Sequence, residues 1–335
     1  MEKETFCQKV NRRCWNEIRI LLKGKAYLMS FRSYWHYLFN KPKAGEINTT
    51  CFYAARPNIN AGIGHQMANW IAGLWFSRQF ELKFASIPFS TDKWDNFLGF
   101  GVGEVQYYDL KKHGYKVRRL PNFNESISQE VDLNKAIINS YSGTQTILLA
   151  IQDQGYSNQF GVKNELHNKF YNAPARKIDS IKYDKCKFNI AVHVRRTVVI
   201  DNKIIEEDEE AKAKRWLSND YYEKVLKQVL ENIKTDKPIA IWLFSTGKSE
   251  EFVEFSKYGE VHFCSDMDEY QSFAHLVFAD MLITSKSSFS YKPALMNDGI
   301  KICPRNFWHG YPDAKDWILV ENDGTFDVSK LNDCL

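Results

Sequence analysis

The clearest pattern in the chain lies after residue 186, where short apolar runs alternate with stretches of helical period. Strand-like runs fall at 187–194, 238–245, 260–264, 280–285, 300–303 and 317–321. The strongest helical stripe between them joins Tyr222, Val225, Leu226, Val229, Leu230 and Ile233 at spacings of three and four, opened by Asp220 with Glu223 as its capping partner. Strands separated by helices of this length imply a parallel sheet with right-handed crossovers. A similar unit opens the first half. Residues 51–56 read as a strand, 57–64 as a loop, 65–80 as a helix and 82–88 as a second strand. Met67, Trp70, Ile71, Leu74 and Trp75 share one face of that helix. From 90 to 180 aromatic and glycine-rich pieces alternate with polar ones and give no clear period. The expected fold class is α/β, with two Rossmann-like domains facing a cleft. An arm and linker (1–50) precede an acceptor-side domain (51–182) and a nucleotide-binding domain (183–335).

Composition narrows the function. A chain of 335 residues with 44% hydrophobic content can bury a large core. Its net charge of only +4 argues against a dedicated nucleic-acid binder. That charge is unevenly placed, because residues 1–43 hold ten Lys/Arg against three Glu, a local +7. Trp15, Ile18, Ile20, Leu21, Leu22, Tyr27, Phe31, Tyr34, Trp35, Tyr37, Leu38 and Phe39 are interleaved with them. Two readings stand: an interfacial element on anionic lipid, or a helical arm packed on its own domain or a partner subunit. The stripe is not cleanly periodic over the whole arm. Residues 41–50 read as a linker. No run of 18 apolar residues and no signal-peptide core are present. Seven cysteines at scattered spacings, without CxxC or a Cys/His cluster, point to reduced thiols in a cytoplasmic compartment and away from zinc.

Three pieces carry candidate chemistry. The run Ile190-Ala191-Val192-His193-Val194-Arg195-Arg196 ends a strand in a histidine and two arginines. Phe188, Ile190, Val192 and Val194 alternate onto one face, so His193 and Arg195 share the other and Arg196 is reversed again. A guanidinium at a strand's C-terminal end suits a diphosphate, or bridges domains through carboxylates. Ser285, Ser287, Ser288 and Ser290 close another strand and open a helix, which makes either an anion site or an ordinary cap. Gly62-Ile63-Gly64-His65-Gln66 is a tight turn before a helix, and it is not a dinucleotide fingerprint, since Met67 occupies the third glycine position. The charge run 205–216 reads as a solvated segment or as an acidic lid, and His262, His275 and His309 read as structural or surface histidines.

Together IAVHVRR, LSNDYYEKVLKQV, IAIWLFST, ITSKSSFSYKPAL and GIGHQMANW resemble, in order and spacing, the HxRR, DYY, FSxD, SNSSFSWW and GxGNQM motifs of bacterial α-1,2-fucosyltransferases and their relatives. The resemblance covers most of 51–310. It implies a GT-B fold, GDP-fucose bound by the C-terminal domain, and inversion without a metal or other cofactor. It places His193 by the guanine, Arg195 by the β-phosphate with Arg196 beside it, and Asp266 or Asp268 at the guanine N–H groups. Ser287, Ser288 and Phe289 would line the diphosphate and fucose. Gly62, Gly64 and Gln66 would form the acceptor loop, where His65, standing in place of the family's asparagine, serves as general base or merely shapes the acceptor site. The acceptor implied is an oligosaccharide or lipid-linked glycan, with a galactose 2-OH of an O-antigen or capsule precursor as the receiving hydroxyl. The work would take place at the inner face of the cell membrane. Thr197-Val198 replace the family's Gly-Asp, Lys286 and His65 replace asparagines, and Tyr291-Lys292 replace paired tryptophans. A different nucleotide deoxysugar, or a non-catalytic nucleotide- or glycan-binding protein, remains the alternative.

Overall fold

A computed structural model describes residues 5–42, 48, 50–58, 60–151, 156–178, 180–200, 203–205 and 208–334. Most of the linker expected over 41–50 (43–47 and 49) lies outside these residues, as do 206 and 207 of the charge run. Three helices come first: α1 (Phe6–Leu21), α2 (Gly24–Met29) and α3 (Arg32–Phe39). They lead to β1 (Phe52–Arg56), α4 (Ile63–Gln79), β2 (Lys83–Ser86), α5 (Asp92–Leu98) and β3 (Val105–Gln106). Next come α6 (Tyr107–Lys112), β4 (Lys116–Arg119), α7 (Ser128–Asn139), β5 (Thr146–Ile151) and α8 (Lys163–Tyr171). The second half runs β6 (Phe188–Val194), the pair β7 (Val198–Ile200) and β8 (Lys203–Ile205), α9 (Glu209–Arg215), α10 (Asn219–Asn232), β9 (Ile239–Ser245) and β10 (Glu260–Phe263). It closes with α11 (Glu269–Phe278), β11 (Met281–Ile283), α12 (Ser288–Ala294), β12 (Ile300–Pro304), β13 (Trp317–Val320) and α13 (Ser329–Asn332).

The chain forms two compact units, and their borders cross the sequence several times. One comprises Met1–Arg56, Ala72–Ile87 and Val105–Gly155; the other comprises Pro57–Ile71, Pro88–Glu104 and Tyr156–Leu335. Thus 57–71 and 88–104, which a single border at 182 leaves in the first domain, belong to the second unit. The first unit carries a five-stranded parallel sheet in the order β3-β2-β1-β5-β4. Phe52, Ala54, Ala85, Ile147 and Leu149 form its core with Tyr107 and Leu110 of α6.

The second unit is built on a six-stranded parallel sheet in the order β10-β9-β6-β11-β12-β13. Counted within the unit this is 3-2-1-4-5-6, the doubly wound order of nucleotide-binding folds. The α/β class with two parallel, Rossmann-like sheets is therefore as the sequence leads one to expect. Phe188, Ile190, Val192 and Val194 enter one core with Tyr222, Val225, Leu226 and Val229 of α10, as their alternation requires. Two details differ. Helix α10 is capped by Ser218, which accepts from the Tyr221 N–H, so it starts before Asp220, and Glu223 instead pairs with Lys257 at 2.7 Å. Strand β11 stops at Ile283, shortly before the Ser285 N–H leaves the sheet for Ser290 Oγ at 3.2 Å.

Candidate functional site

In a doubly wound sheet the strand order reverses between the first and fourth strands, and ligands bind in the crevice outside their carboxyl ends. Here those strands are β6 and β11. Their ends deliver His193 and Arg195 on one side and Ser287, Ser288 and Phe289 on the other, into a cavity of about 1000 Å³. The C-terminal ends of β9 and β10 extend its wall with Thr246, Gly247, Met267 and Asp268. All of the lining belongs to the second unit.

His193 is buried. Its Nδ1 lies 2.7 Å from Ser285 Oγ, which leaves Nε2 for the cavity. Burial, helped by the neighbouring Arg195 charge, pushes its pKa down to about 3, so the ring is neutral at physiological pH. Arg195 Nη1 donates to Ser287 Oγ at 3.4 Å. The same oxygen caps α12 by accepting from the Phe289 N–H at 3.2 Å. A hydroxyl that accepts twice keeps its own O–H to donate.

The Gly62–Gln66 turn reaches this wall through a backbone contact. A Cβ on Gly64 would stand 2.6 Å from the Ser288 carbonyl carbon and 2.8 Å from its oxygen. Only glycine fits at that approach, whereas Gly62 has open space beside it. Gln66 is occupied internally: Nε2 donates to Ala61 O (2.8 Å) and Ser90 Oγ (2.9 Å), and Oε1 accepts from the Ser90 N–H at 2.8 Å. These bonds fix the turn, and Gln66 also lines the cavity. His65 is exposed on the first turn of α4 and lines the cavity.

Two expected donor contacts lie elsewhere. Arg196 turns away from the cavity, as its reversed place in the strand alternation requires. Its guanidinium donates to Leu217 O and Asn219 Oδ1 and approaches Glu251 and the Phe252 ring, tying the β6 end to the start of α10. Asp266 pairs with Lys182 at 2.9 Å outside the lining. Asp268 lines the cavity, as does Glu269, although the Asp268 Oδ1 already caps α11 by accepting from the Tyr270 and Gln271 N–H groups.

Several lining residues carry no local signal in the sequence. Trp94 and Tyr270 pack with centroids 4.2 Å apart, and Lys93 Nζ sits 3.8 Å over the Tyr270 ring and 3.7 Å from Asp268 Oδ2. Trp308, half exposed, stands with its ring centroid 6.0 Å from the Arg215 guanidinium. The charge run 205–216 thus contributes a cation, Arg215, to the lining. Cys264 also lines the cavity, but burial pushes its thiol up to about 12, which makes it a poor nucleophile. Among the described residues no three His, Cys, Asp or Glu side chains converge where a metal ion could sit.

No family model and no curated protein matches the chain. Among solved structures it is similar to POFUT1 in complex with GDP-fucose (TM-score 0.45, 11% identity, over 75% of this chain and 95% of that one). It is also similar to NodZ α-1,6-fucosyltransferase soaked with GDP-fucose (TM-score 0.45, 12% identity, 79% and 98%). The fucosyltransferase NodZ from Bradyrhizobium gives 0.44, 11%, 84% and 98%. Overlaps this loose leave function to be argued from this chain's own residues.

Proposed function

We propose that the chain is a glycosyltransferase that binds a nucleotide-diphosphate sugar, GDP-fucose by its motif resemblance, at the β6–β11 switch point. The observation that carries this reading is the convergence of Arg195, the Ser287 hydroxyl and the neutral His193 at two adjacent strand ends. In this reading the diphosphate lies against Arg195 and Ser287, with Ser288 and Phe289 beside the fucose and His193 Nε2 toward the guanine. Asp268 Oδ2 accepts from the guanine N–H groups. Departure of GDP builds negative charge on the diphosphate while the sugar becomes oxocarbenium-like, and a guanidinium already in place stabilises that charge as it develops. The acceptor hydroxyl attacks from the opposite face of the sugar, which inverts the anomeric centre, and His65 takes its proton. The proposed reaction is metal-independent. Trp308 offers a flat apolar face for the acceptor, a galactose bearing a free 2-OH in an O-antigen or capsule precursor, at the cytoplasmic face of the membrane.

Purified protein with GDP-fucose and a panel of galactosides tests this directly, read as GDP release. Release from a different nucleotide deoxysugar and not from GDP-fucose would replace the donor. A second reading, a nucleotide-binding protein without turnover, is favoured by Thr197-Val198 standing where the resembled motif has Gly-Asp. Tight GDP binding with no release across the panel would establish that one.

A further inference from the structure

Helix α1 is mounted the wrong way round for a soluble protein. Its inward side is polar: Arg119 Nη1 donates to Asn16 Oδ1 at 2.8 Å, and Arg19 Nη2 donates to Ser30 O at 3.1 Å. Its apolar stripe, Phe6, Val10, Cys14, Ile18 and Leu21, recurs every three or four residues and is exposed throughout. No residue of α1 is buried. Of the sixteen large apolar side chains exposed among the described residues, ten lie between Phe6 and Phe39. Singly exposed apolar residues need no explanation, but a concentrated patch marks an interaction surface.

We propose that this face of α1 docks on an anionic lipid bilayer surface. Over residues 5–42 eight Lys/Arg face one acidic residue, Glu17, a net +7. Lys9, Arg13, Lys23 and Lys25 are exposed around the apolar stripe, the arrangement of a helix lying in the interface of a charged membrane. A second copy is the poorer occupant, since a two-fold contact brings the same +7 patch against itself. The helix lies in the interface and does not cross the bilayer, as no helix among the described residues is long and apolar enough to cross one. This inference is independent of the transferase reading.

The test is co-sedimentation of the full chain with vesicles of phosphatidylcholine and of an equimolar mixture with phosphatidylglycerol. Binding to the anionic vesicles is expected to be at least about tenfold tighter and to weaken with added salt. Lys9→Gln with Arg13→Gln should weaken it by about tenfold or more, at about fivefold per charge. Phe6→Ser with Ile18→Ser should abolish it at unchanged melting temperature, because neither side chain is buried. Wild-type protein that ignores anionic vesicles, or variants that bind as well as wild type, overturns the proposal. So does a solution dimer that Phe6→Ser/Ile18→Ser dissociates, which would assign the face to a second copy.

Discussion

Gly64→Ala probes the contact that joins the two turns of the cavity wall. The new methyl would stand 2.6 Å from the Ser288 carbonyl carbon, against 3.4 Å for ordinary contact, so the two backbones must part by roughly 0.8 Å. The obstacle is backbone, which cannot rotate aside as a side chain can. Two effects then oppose each other. Alanine in place of glycine within a helix gains about 0.5–1 kcal/mol, whereas forcing an extra methyl into a packed site costs about 1–3 kcal/mol. Sterics win, for a net loss of about 1–2 kcal/mol and, in a chain of 335 residues, a melting temperature lower by about 1–3 °C. Because Ser288 follows Ser287, the shift also moves the hydroxyl that meets Arg195, and GDP affinity should fall about tenfold. Differential scanning fluorimetry and titration calorimetry read the two effects. Gly62→Ala, with nothing within 4 Å, is the control and should melt as wild type does. Wild-type melting and GDP affinity in Gly64→Ala would refute the claim that this contact is tight and that it positions the site.

The neighbouring arginines should separate cleanly. Arg195→Ala should fold normally and weaken GDP binding by about 10–100-fold, the loss of one or more charge-assisted hydrogen bonds. Arg196→Ala should instead lose about 2–4 kcal/mol in urea unfolding, by orphaning Leu217 O and Asn219, with GDP affinity near wild type. His193 carries a pH signature. Its folded pKa of about 3 lies below the unfolded 6.5, so its share of stability is present above pH 6.5 and is lost as pH falls. Relative to His193→Asn, wild type should lose about 3 kcal/mol between pH 6.5 and about pH 4; parallel stability curves would contradict a buried neutral ring. Lys292 is fully buried, with its Nζ on Gln159 Oε1 at 2.8 Å, and burial holds its pKa well below 10.5. Its contribution therefore grows as pH rises toward 10.5. Any advantage of Lys292→Met in urea midpoint should shrink from pH 7 to pH 10, and a pH-independent difference would show that the amine is charged.

What could be seen in the sequence followed from how much of each element is buried. Strand β6 is buried along its whole length, so Phe188, Ile190, Val192 and Val194 had to alternate into a core, and the opposite placement of His193 and Arg195 came with them. The same alternation already implied that Arg196 points away. Its partners Leu217 and Asn219 lie more than twenty residues on, beyond any local pattern. One local signal distinguishes Asp268 from Asp266. Asp268 and Gln271 stand at capping-box spacing, and the structure uses them so. The stretch 90–180 resisted because β3 has two residues and β4 four, too few for a period to register. The Trp94–Tyr270 wall joins segments far apart in the chain and has no local trace at all.

The N-terminal arm shows why a broken pattern misleads. Over 1–43 the apolar positions lose their phase, yet within α1 they run at 6, 10, 14, 18 and 21 without a fault. The phase is lost where Leu22 and Lys23 leave helical geometry and again at Phe31, so three short helices each restart it. Restored helix by helix, the pattern still does not reveal which side faces the body, because an amphipathic stripe is equally consistent with a core and with a membrane. Burial decides it. Phe31 and Ser33 of the third segment are buried, so the arm is anchored there, while α1 has no buried residue and its polar Asn16 and Arg19 reach Arg119 and Ser30. A helix attached by its polar side leaves its apolar side exposed, and the exposed Lys9, Arg13, Lys23 and Lys25 beside it are the ground for proposing a negatively charged surface as its partner.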